Sequence, residues 1–448
     1  MAGDGVFNTR LATIFADRPM EAQHLLIICE IFPPAPGVGG RRWAKFAKEF
    51  ARRGHTVHVI CAEHGHHKSG SPWSSDILSS KIKTYPLPRK YPSVVNRWPL
   101  QSAFEKLAYR FWLRILPWVS KGNSRDSTIF WRGQINSMAG QLIRAHNIRY
   151  VFATGAPFRL LFHAVNLKAH HAGIKVVCDL RDPWTWWDNY GHGLLSKKKF
   201  AEEEAFEKTM VECSDRIISP SSSVLQHLST AYPDQRSKMV SIPHTIDPEE
   251  LTALRSLKED KGYRLIYAGT WYGAEEAERY MSAVIVAFKA LKVMAPERSK
   301  HTTFDLYIAA NDASKALQMT HEAGLQEHIR FHAPLTPKEI AHELVRADAA
   351  LVFIPAKNKD LMGTKFHELF HLKVPVIHVG EPGAVARTIV EYDLGTSITV
   401  DQLSKELPLI VTGTRRLPED PTYDTRQYLL EHVTENLLIA AKGDHAIK

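Results

Sequence analysis

Residues 24–63 read HLLIICEIFPPAPGVGGRRWAKFAKEFARRGHTVHVICAE. The run from His24 to Glu30 is apolar and of strand length, and a loop rich in Pro and Gly follows it. In RRWAKFAKEFARRG, Trp43, Phe46, Ala47 and Phe50 recur at three- and four-residue steps, so they share one face of a helix that Gly54 stops. HTVHVICAE then returns to an apolar run. Strand, helix and strand in this order make a βαβ unit, which predicts a parallel sheet with helices on both faces.

The alternation continues outward from this stretch. IRYVFATG, a helix around Leu160 to His171, IKVVCDL and DRIISPS repeat it, and the charged stretch LTALRSLKEDKGY reads as a bridge. RLIYAGTWYG restarts the pattern, and FDLYIAAN, IRFHAPL, AALVFIP and VPVIHVG supply four more strands separated by helices. A chain of 448 residues exceeds one ordinary core. The expected organisation is therefore two Rossmann-like, doubly wound α/β domains, 1–255 and 256–420, whose strand-to-helix loops face a cleft. A last helical stretch occupies 421–448, with Tyr428, Leu429, Val433 and Leu437 on its apolar face.

The chain carries 57 Lys and Arg against 48 Asp and Glu, a net charge of +9, which favours an anionic partner. It has no zinc-finger, helix-turn-helix or aromatic RNA-binding pattern, so nucleic acid is not the expected partner. No apolar run reaches the roughly 18 residues of a spanning helix, and the first twenty residues do not read as a secretory signal. A cytoplasmic protein is expected, peripheral on the inner face of the membrane if it adsorbs there. Cys29, Cys61, Cys178 and Cys213 have no paired spacing and read as buried thiols.

The chemistry concentrates in loops that follow strands, where open α/β sheets bind ligands. In AALVFIPAKNKDLMGTKFHELFHLKVPVIHVG, residues 349–380, a strand and a polar loop lead to Gly363 and a helix carrying Thr364, Lys365 and Glu368. The start of such a helix offers unpaired N–H groups and about half a positive charge, which suits a diphosphate, and Lys365 adds a full charge. Glu368, one turn on, is placed to accept from ribose hydroxyls; alternatively it is a first-turn acid that complements the helix dipole.

These residues resemble glycosyltransferase family 4 and its relatives, where a helix beginning near a basic residue carries a Glu and runs into a Gly-Lys-Pro-Val-like stretch. Here that stretch is ELFHLKVPVIHVG. The family's two acids separated by seven residues map onto Asp360 and Glu368, with Asp where Glu is usual. The opening LLIICEIFPPAPGVGG is similar to the family's start, which implies donor contacts for Gly39 and Gly40. VVCDLRDPWTWW resembles a segment of surface-polysaccharide glycosyltransferases. SDRIISPSSSVLQHLSTAYPDQRSKMVSIPHTID resembles the close of the first domain, with His244, Thr245, Ile246 and Asp247 in place of Asn-Gly-Phe-Asp. YAGTWYG fits the loop that meets donor phosphates through Gly269 and Thr270, without the Arg and Lys usual after it.

The resemblance implies a GT-B enzyme that moves a hexose-type sugar from a nucleoside diphosphate to an acceptor hydroxyl on a glycan or lipid-linked acceptor. It also implies retention at the anomeric carbon, a role in polysaccharide or glycolipid synthesis, and a last helix that returns to the first domain. The nucleotide sugar is a co-substrate. No cofactor is expected, and no metal, since the family's donor site works without a divalent ion.

Lys365 and Asp182 are the expected catalytic residues, the first on the leaving diphosphate and the second near the acceptor proton. Asp179, Arg181 and Trp184 are expected on the acceptor, with Trp186 and Trp187 extending a stacking wall. An Asp–Arg structural pair and packed tryptophans are the competing readings. The insertion at 83–132 combines Trp98, Phe111, Trp112, Trp118 and Trp131 with many bases and reads either as a membrane-facing segment or as a helical hairpin packed on the first domain. EHGHH, 63–67, reads as a polar loop. A degenerate binding protein of the same fold and a nonhydrolysing sugar-nucleotide epimerase remain as alternatives. A nicotinamide dehydrogenase does not, because PGVGG lacks the required glycine spacing.

Overall fold

The computed structural model describes residues 21–63, 70–96, 100–186, 189–253, 262–269, 271 and 274–443. Two compact units form, one from residues up to 219 with 224–242 and 434 onward, the other from 220–223 and 243–433.

The first unit is built on β1 (His24–Ile28), α1 (Arg41–Arg52), β2 (Thr56–Ala62), β3 (Ile82–Leu87), α2 (Ala103–Val119), α3 (Arg132–His146), β4 (Tyr150–Gly155), α4 (Arg159–Asn166), β5 (Lys175–Leu180), α5 (Lys197–Cys213), β6 (Arg216–Ser219), α6 (Ser222–Ala231) and β7 (Met239–Ser241). Its seven strands are parallel, in the order β3-β2-β1-β4-β5-β6-β7. Side chains of alternate parity go to opposite faces. Leu26, Ile28, Val151, Ala153, Val176 and Cys178 join the cluster that holds Ile135 of α3 and Leu160 and Leu161 of α4. On the other face, Trp43 and Phe50 of α1 pack on Phe152, with ring centroids 5.5 and 5.6 Å apart. Burial on both faces is why these strands are continuous apolar runs.

The second unit runs β8 (Tyr263–Ala268), α7 (Ala274–Met294), α8 (Pro296–Lys300), β9 (Thr302–Tyr307), α9 (Ala310–Glu322), β10 (Ile329–His332), α10 (Pro337–Val345), β11 (Ala349–Ile354), α11 (Thr364–His371), β12 (Val376–Gly380), α12 (Ala384–Glu391), β13 (Gly395–Ile398) and α13 (Leu403–Val411). Its sheet is parallel, ordered β10-β9-β8-β11-β12-β13. Helices cover both faces, with Tyr267, Phe304 and Phe353 in one core and Ile266, Val352 and Val376 in the other. Both sheets are thus doubly wound α/β sheets, with switch points between β1 and β4 and between β8 and β11.

Three strands depart from the sequence reading. β3 lies inside the stretch taken as an insertion, and its pattern of mostly exposed or half-buried residues is that of a polar edge strand. β7 has three residues. β13 raises the restart strands of the second unit from four to five after β8, and Gly395 is required there: φ is +148°, and a Cβ would lie 2.0 Å from the Val376 carbonyl oxygen.

The last helix, α14 (Leu430–Lys442), starts later than expected. Tyr428 closes a short 3₁₀ turn and Leu429 is extended, bridged to Ile246. Beyond residue 434 the chain belongs to the first unit, where Glu435 pairs with Arg53, the Lys442 carbonyl accepts from Lys175, and the Ala440 carbonyl accepts from Arg216 at 3.1 Å. Cys29, Cys61 and Cys178 are buried, whereas Cys213, at the solvent end of α5, is exposed. Among the described residues no helix is long and apolar enough to cross a membrane.

Candidate functional site

In the second unit, the loops after β8 and β11 flank the switch point. Gly363 is the N-cap of α11 and makes no side-chain cap bond, so the first-turn N–H groups carry no cap from that residue. Thr364 and Lys365 open the helix. The Lys365 side chain crosses to the end of β8, with its ammonium 4.5 Å from the centroid of the buried Tyr267 ring. It passes directly over Gly269: a Cβ there would lie 2.4 Å from Lys365 Nζ and 2.9 Å from Cε, and Gly269 has φ +144°. Only glycine leaves that path open.

Removal of water from the Lys365 ammonium lowers its pKa from 10.5 to about 8, with the Glu368 carboxylate pulling the other way. A cation held partly dehydrated, with the ring face as its platform, gains when an anion arrives. Gly269, Gly363, Thr364, Lys365 and Glu368 are therefore brought to one end of the second sheet. Thr270 lies outside the described residues. Asp360 is not part of this group: it pairs on the surface with Arg387 (3.5 Å) and Lys359 (3.7 Å).

In the first unit, Asp179 ends up fully buried near the C-terminal end of β5. Its Oδ2 accepts from Trp43 Nε1 (2.8 Å), Thr154 Oγ1 (3.1 Å) and Arg42 Nε (3.2 Å), and Arg42 also donates to the Ile242 carbonyl (2.8 Å). Arg181 donates to the carbonyls of Gly39 (2.8 Å), Ala156 (2.9 Å) and Gly155 (3.1 Å), so one guanidinium ties together the loops after β1 and β4 across the switch point. Gly40 is buried, and a Cβ on it would approach the Ile31 carbonyl oxygen to 3.1 Å; Gly39 is half-buried, with Arg181 Nη1 3.3 Å from where its Cβ would stand.

This corrects three expectations for the acceptor. Asp179 is an internal junction with no surface for a ligand. Arg181 is committed to backbone carbonyls. The Trp184 ring is buried against Phe158, with centroids 5.3 Å apart and planes 11° from parallel, and its Nε1 donates to Glu203 at 2.7 Å. The packed reading of that tryptophan holds because Glu203, itself bonded to Arg159 (2.6 Å) and the Asn123 N–H (2.7 Å), supplies the acceptor a buried indole needs. Asp182, next to Arg181, is half-buried at the same edge of the sheet, and Trp186 is 39% exposed and stacked on His227. Trp187, Trp98 and residues 64–67 of EHGHH lie outside the described residues. Thr154 and Tyr267 were missed in the sequence; Tyr267 stands two residues before Gly269, within the signal already read there.

The segment 83–132 also resolves into parts. Trp131 is buried, and α3 packs Ile135, Ala139, Leu142 and Ile143 inward. Helix α2 buries Leu116 alone. Phe104 (79% exposed), Leu107, Phe111 and Trp118 (89%) fall within about 60° of one another at 3.6 residues per turn. Lys106, Arg110 and Arg114 flank that stripe and are exposed.

Residues 39–250 match the family model described as Glycosyltransferase Family 4. No curated protein sequence matches the chain. Among solved structures, a glycosyltransferase from Rickettsia africae is 12% identical with a TM-score of 0.62, covering 95% of this chain and 100% of its own. HepE of Anabaena, solved in complex with UDP and glucose, is 12% identical with a TM-score of 0.59, covering 93% and 99%. The lipopolysaccharide outer core galactosyltransferase WaaB is 13% identical with a TM-score of 0.56, covering 94% and 99%. At these identities the likeness is one of fold, and the family match is one of sequence. Together they give this chain the GT-B fold, with a match to glycosyltransferase family 4 over residues 39–250 that supports a transferase.

Proposed function

We propose that the protein transfers a sugar from a nucleoside diphosphate to an acceptor hydroxyl, with the donor diphosphate held by the second unit. The observation that carries this reading is the Lys365 ammonium laid over Gly269 and Tyr267 at the uncapped start of α11. In the reaction, the bond from the anomeric carbon to the diphosphate breaks and a bond to the acceptor oxygen forms. Negative charge develops on the leaving diphosphate, where Lys365 and the first N–H groups of α11 meet it. The acceptor hydroxyl loses its proton to a base, and Asp182 is the carboxylate assigned to that end. Glu368 takes the ribose hydroxyls, and Gly39 and Gly40 give the donor a close backbone approach. Asp179, Arg181 and Trp184 act by holding the loops that carry these groups.

The anomeric configuration is retained, and the product belongs to polysaccharide or glycolipid synthesis. Exposure of the α2 stripe beside its bases supports adsorption to an anionic membrane surface, which would present a lipid-linked acceptor.

A panel of UDP, GDP and ADP sugars, scored by thermal shift and by release of nucleoside diphosphate with and without acceptor lipid extracts, tests the reading. One nucleotide class should stabilise the wild type, and Lys365→Ala and Glu368→Ala should weaken that shift. A nucleotide that binds without turnover under any acceptor would assign a binding protein instead. Conversion of the sugar with no acceptor present would assign an epimerase.

A further inference from the structure

We propose that His24, His58 and His146 form a binding site for a divalent transition-metal ion at the N-terminal edge of the first sheet. The site is independent of the glycosyl-transfer reading, since the Asp179 junction lies toward the other end of the strands.

The placement follows from register. His24 opens β1 and pairs with Thr56, and His58 stands two residues along β2, so both imidazoles leave the sheet on the same face. His146 closes α3 and comes down on that face. Its ring lies 4.8 Å from that of His24 and 4.5 Å from that of His58, centroid to centroid. His24 Nδ1 and His58 Nε2 are 2.9 Å apart, and one nitrogen from each of the three residues falls within 4.8 Å of the others.

Zinc bound by three imidazoles at about 2.0–2.1 Å in tetrahedral geometry needs nitrogens about 3.3 Å apart. The His24–His58 pair is already near that spacing. His146, half-buried at a helix end, has its ring stacked 6° and 28° from parallel on those of His24 and His58, and ligation requires it to reorient and aim a lone pair at the ion. His58 Nδ1 lies 3.0 Å from the Tyr85 hydroxyl, the kind of outer partner that fixes the orientation of a ligating imidazole. Burial, with the neighbouring His146, lowers the basicity of His24 and His58 and so disfavours the imidazolium forms that cannot ligate. Lys83, across from His58 on β3, opposes a dication, but it is exposed and its charge is screened. Three nitrogens and an open fourth position for water suit zinc, copper or nickel rather than magnesium or calcium. The ion would pin the end of α3 to β1 and β2, where the His146 ring stacks on those of His24 and His58.

The test uses the full chain, stripped with chelator and titrated with Zn²⁺ by calorimetry, with metal content measured after desalting. One zinc per chain is expected. His146→Ala and His24→Ala should each weaken binding by at least about tenfold to a hundredfold, the range already seen for loss of outer-shell partners. Replacing His66 and His67 with Ala should leave it unchanged. Wild-type protein that retains no zinc, or a His146→Ala variant that binds as the wild type does, would overturn the site. Should the variants fold poorly, anomalous scattering at the zinc edge from wild-type crystals decides: a peak among the three imidazoles supports the proposal, and a peak elsewhere refutes it.

Discussion

Lys365 offers the most exacting test of the donor site, because its free-state pKa of about 8 puts proton uptake inside an accessible range. A diphosphate beside the ammonium favours its charged form, so binding above pH 8 must draw a proton from solvent. With a single group at pH 8, about 90% of the chains are protonated at pH 7 and about 10% at pH 9, and affinity for UDP should fall about tenfold over that interval. Calorimetry in buffers of different ionisation enthalpy reads the same event as proton uptake approaching one per UDP at pH 9.

Lys365→Ala removes a charge-assisted contact worth about 1.5–3 kcal/mol, or roughly tenfold to 150-fold in Kd, and it should flatten the pH profile. Turnover should fall by about a hundredfold to a thousandfold, the usual cost of losing one preorganised donor to developing charge. A Lys365→Ala variant that keeps the tenfold loss between pH 7 and 9 would place the titrating group elsewhere. One that keeps wild-type affinity and turnover would refute the assignment.

The same lysine has a stability signature of known sign. Its folded pKa lies below the unfolded value, so the unfolded chain binds more protons between about pH 8 and 10.5, and stability rises with pH across that window. Lys365→Met should therefore be more stable than the wild type at pH 7, by on the order of 1–3 kcal/mol in urea unfolding, with the gap closing by about pH 10.5. Gly269→Ala meets both a positive φ and the lysine itself; it should cost about 1–3 kcal/mol in backbone strain and lower UDP affinity together, whereas a bare turn would lose stability alone. Trp184→Ala should lower unfolding free energy by about 3–5 kcal/mol, while an acceptor-stacking role would raise the acceptor KM at unchanged stability. Phe111→Glu and Trp118→Glu should abolish sedimentation with anionic vesicles and leave Tm unchanged, because neither side chain is buried.

What the sequence disclosed and what it hid have one physical cause. Strands buried on both faces have to be apolar throughout, so β1, β2, β4 and the central strands of the second sheet announce themselves. Edge strands are under no such demand: β3 mixes Lys83, Thr84 and Tyr85 into six residues, and GTSI in β13 reads as loop. The same limit governs side chains at the site. Gly269 and Lys365 each stand in a legible motif, but that the lysine crosses the glycine is a fact about two loops 96 residues apart in sequence, which only the β8–β11 pairing brings together.

Asp179, Arg181 and Trp184 show the opposite failure. Charged and aromatic residues after a strand mark either a ligand site or the machinery that holds one, and composition does not distinguish them. The distinction lies in whether a partner is already present inside the protein. Asp179 has Arg42, Trp43 and Thr154, Arg181 has three carbonyls, and Trp184 has Glu203. Lys365 faces a ring that can polarise toward it but cannot neutralise it, and Glu368 offsets only part of its desolvation. A group whose charge the fold has stripped of water and only partly compensated is the one poised to gain from a ligand, and that imbalance makes Lys365, rather than the more densely bonded Asp179, the residue on which to test the chemistry.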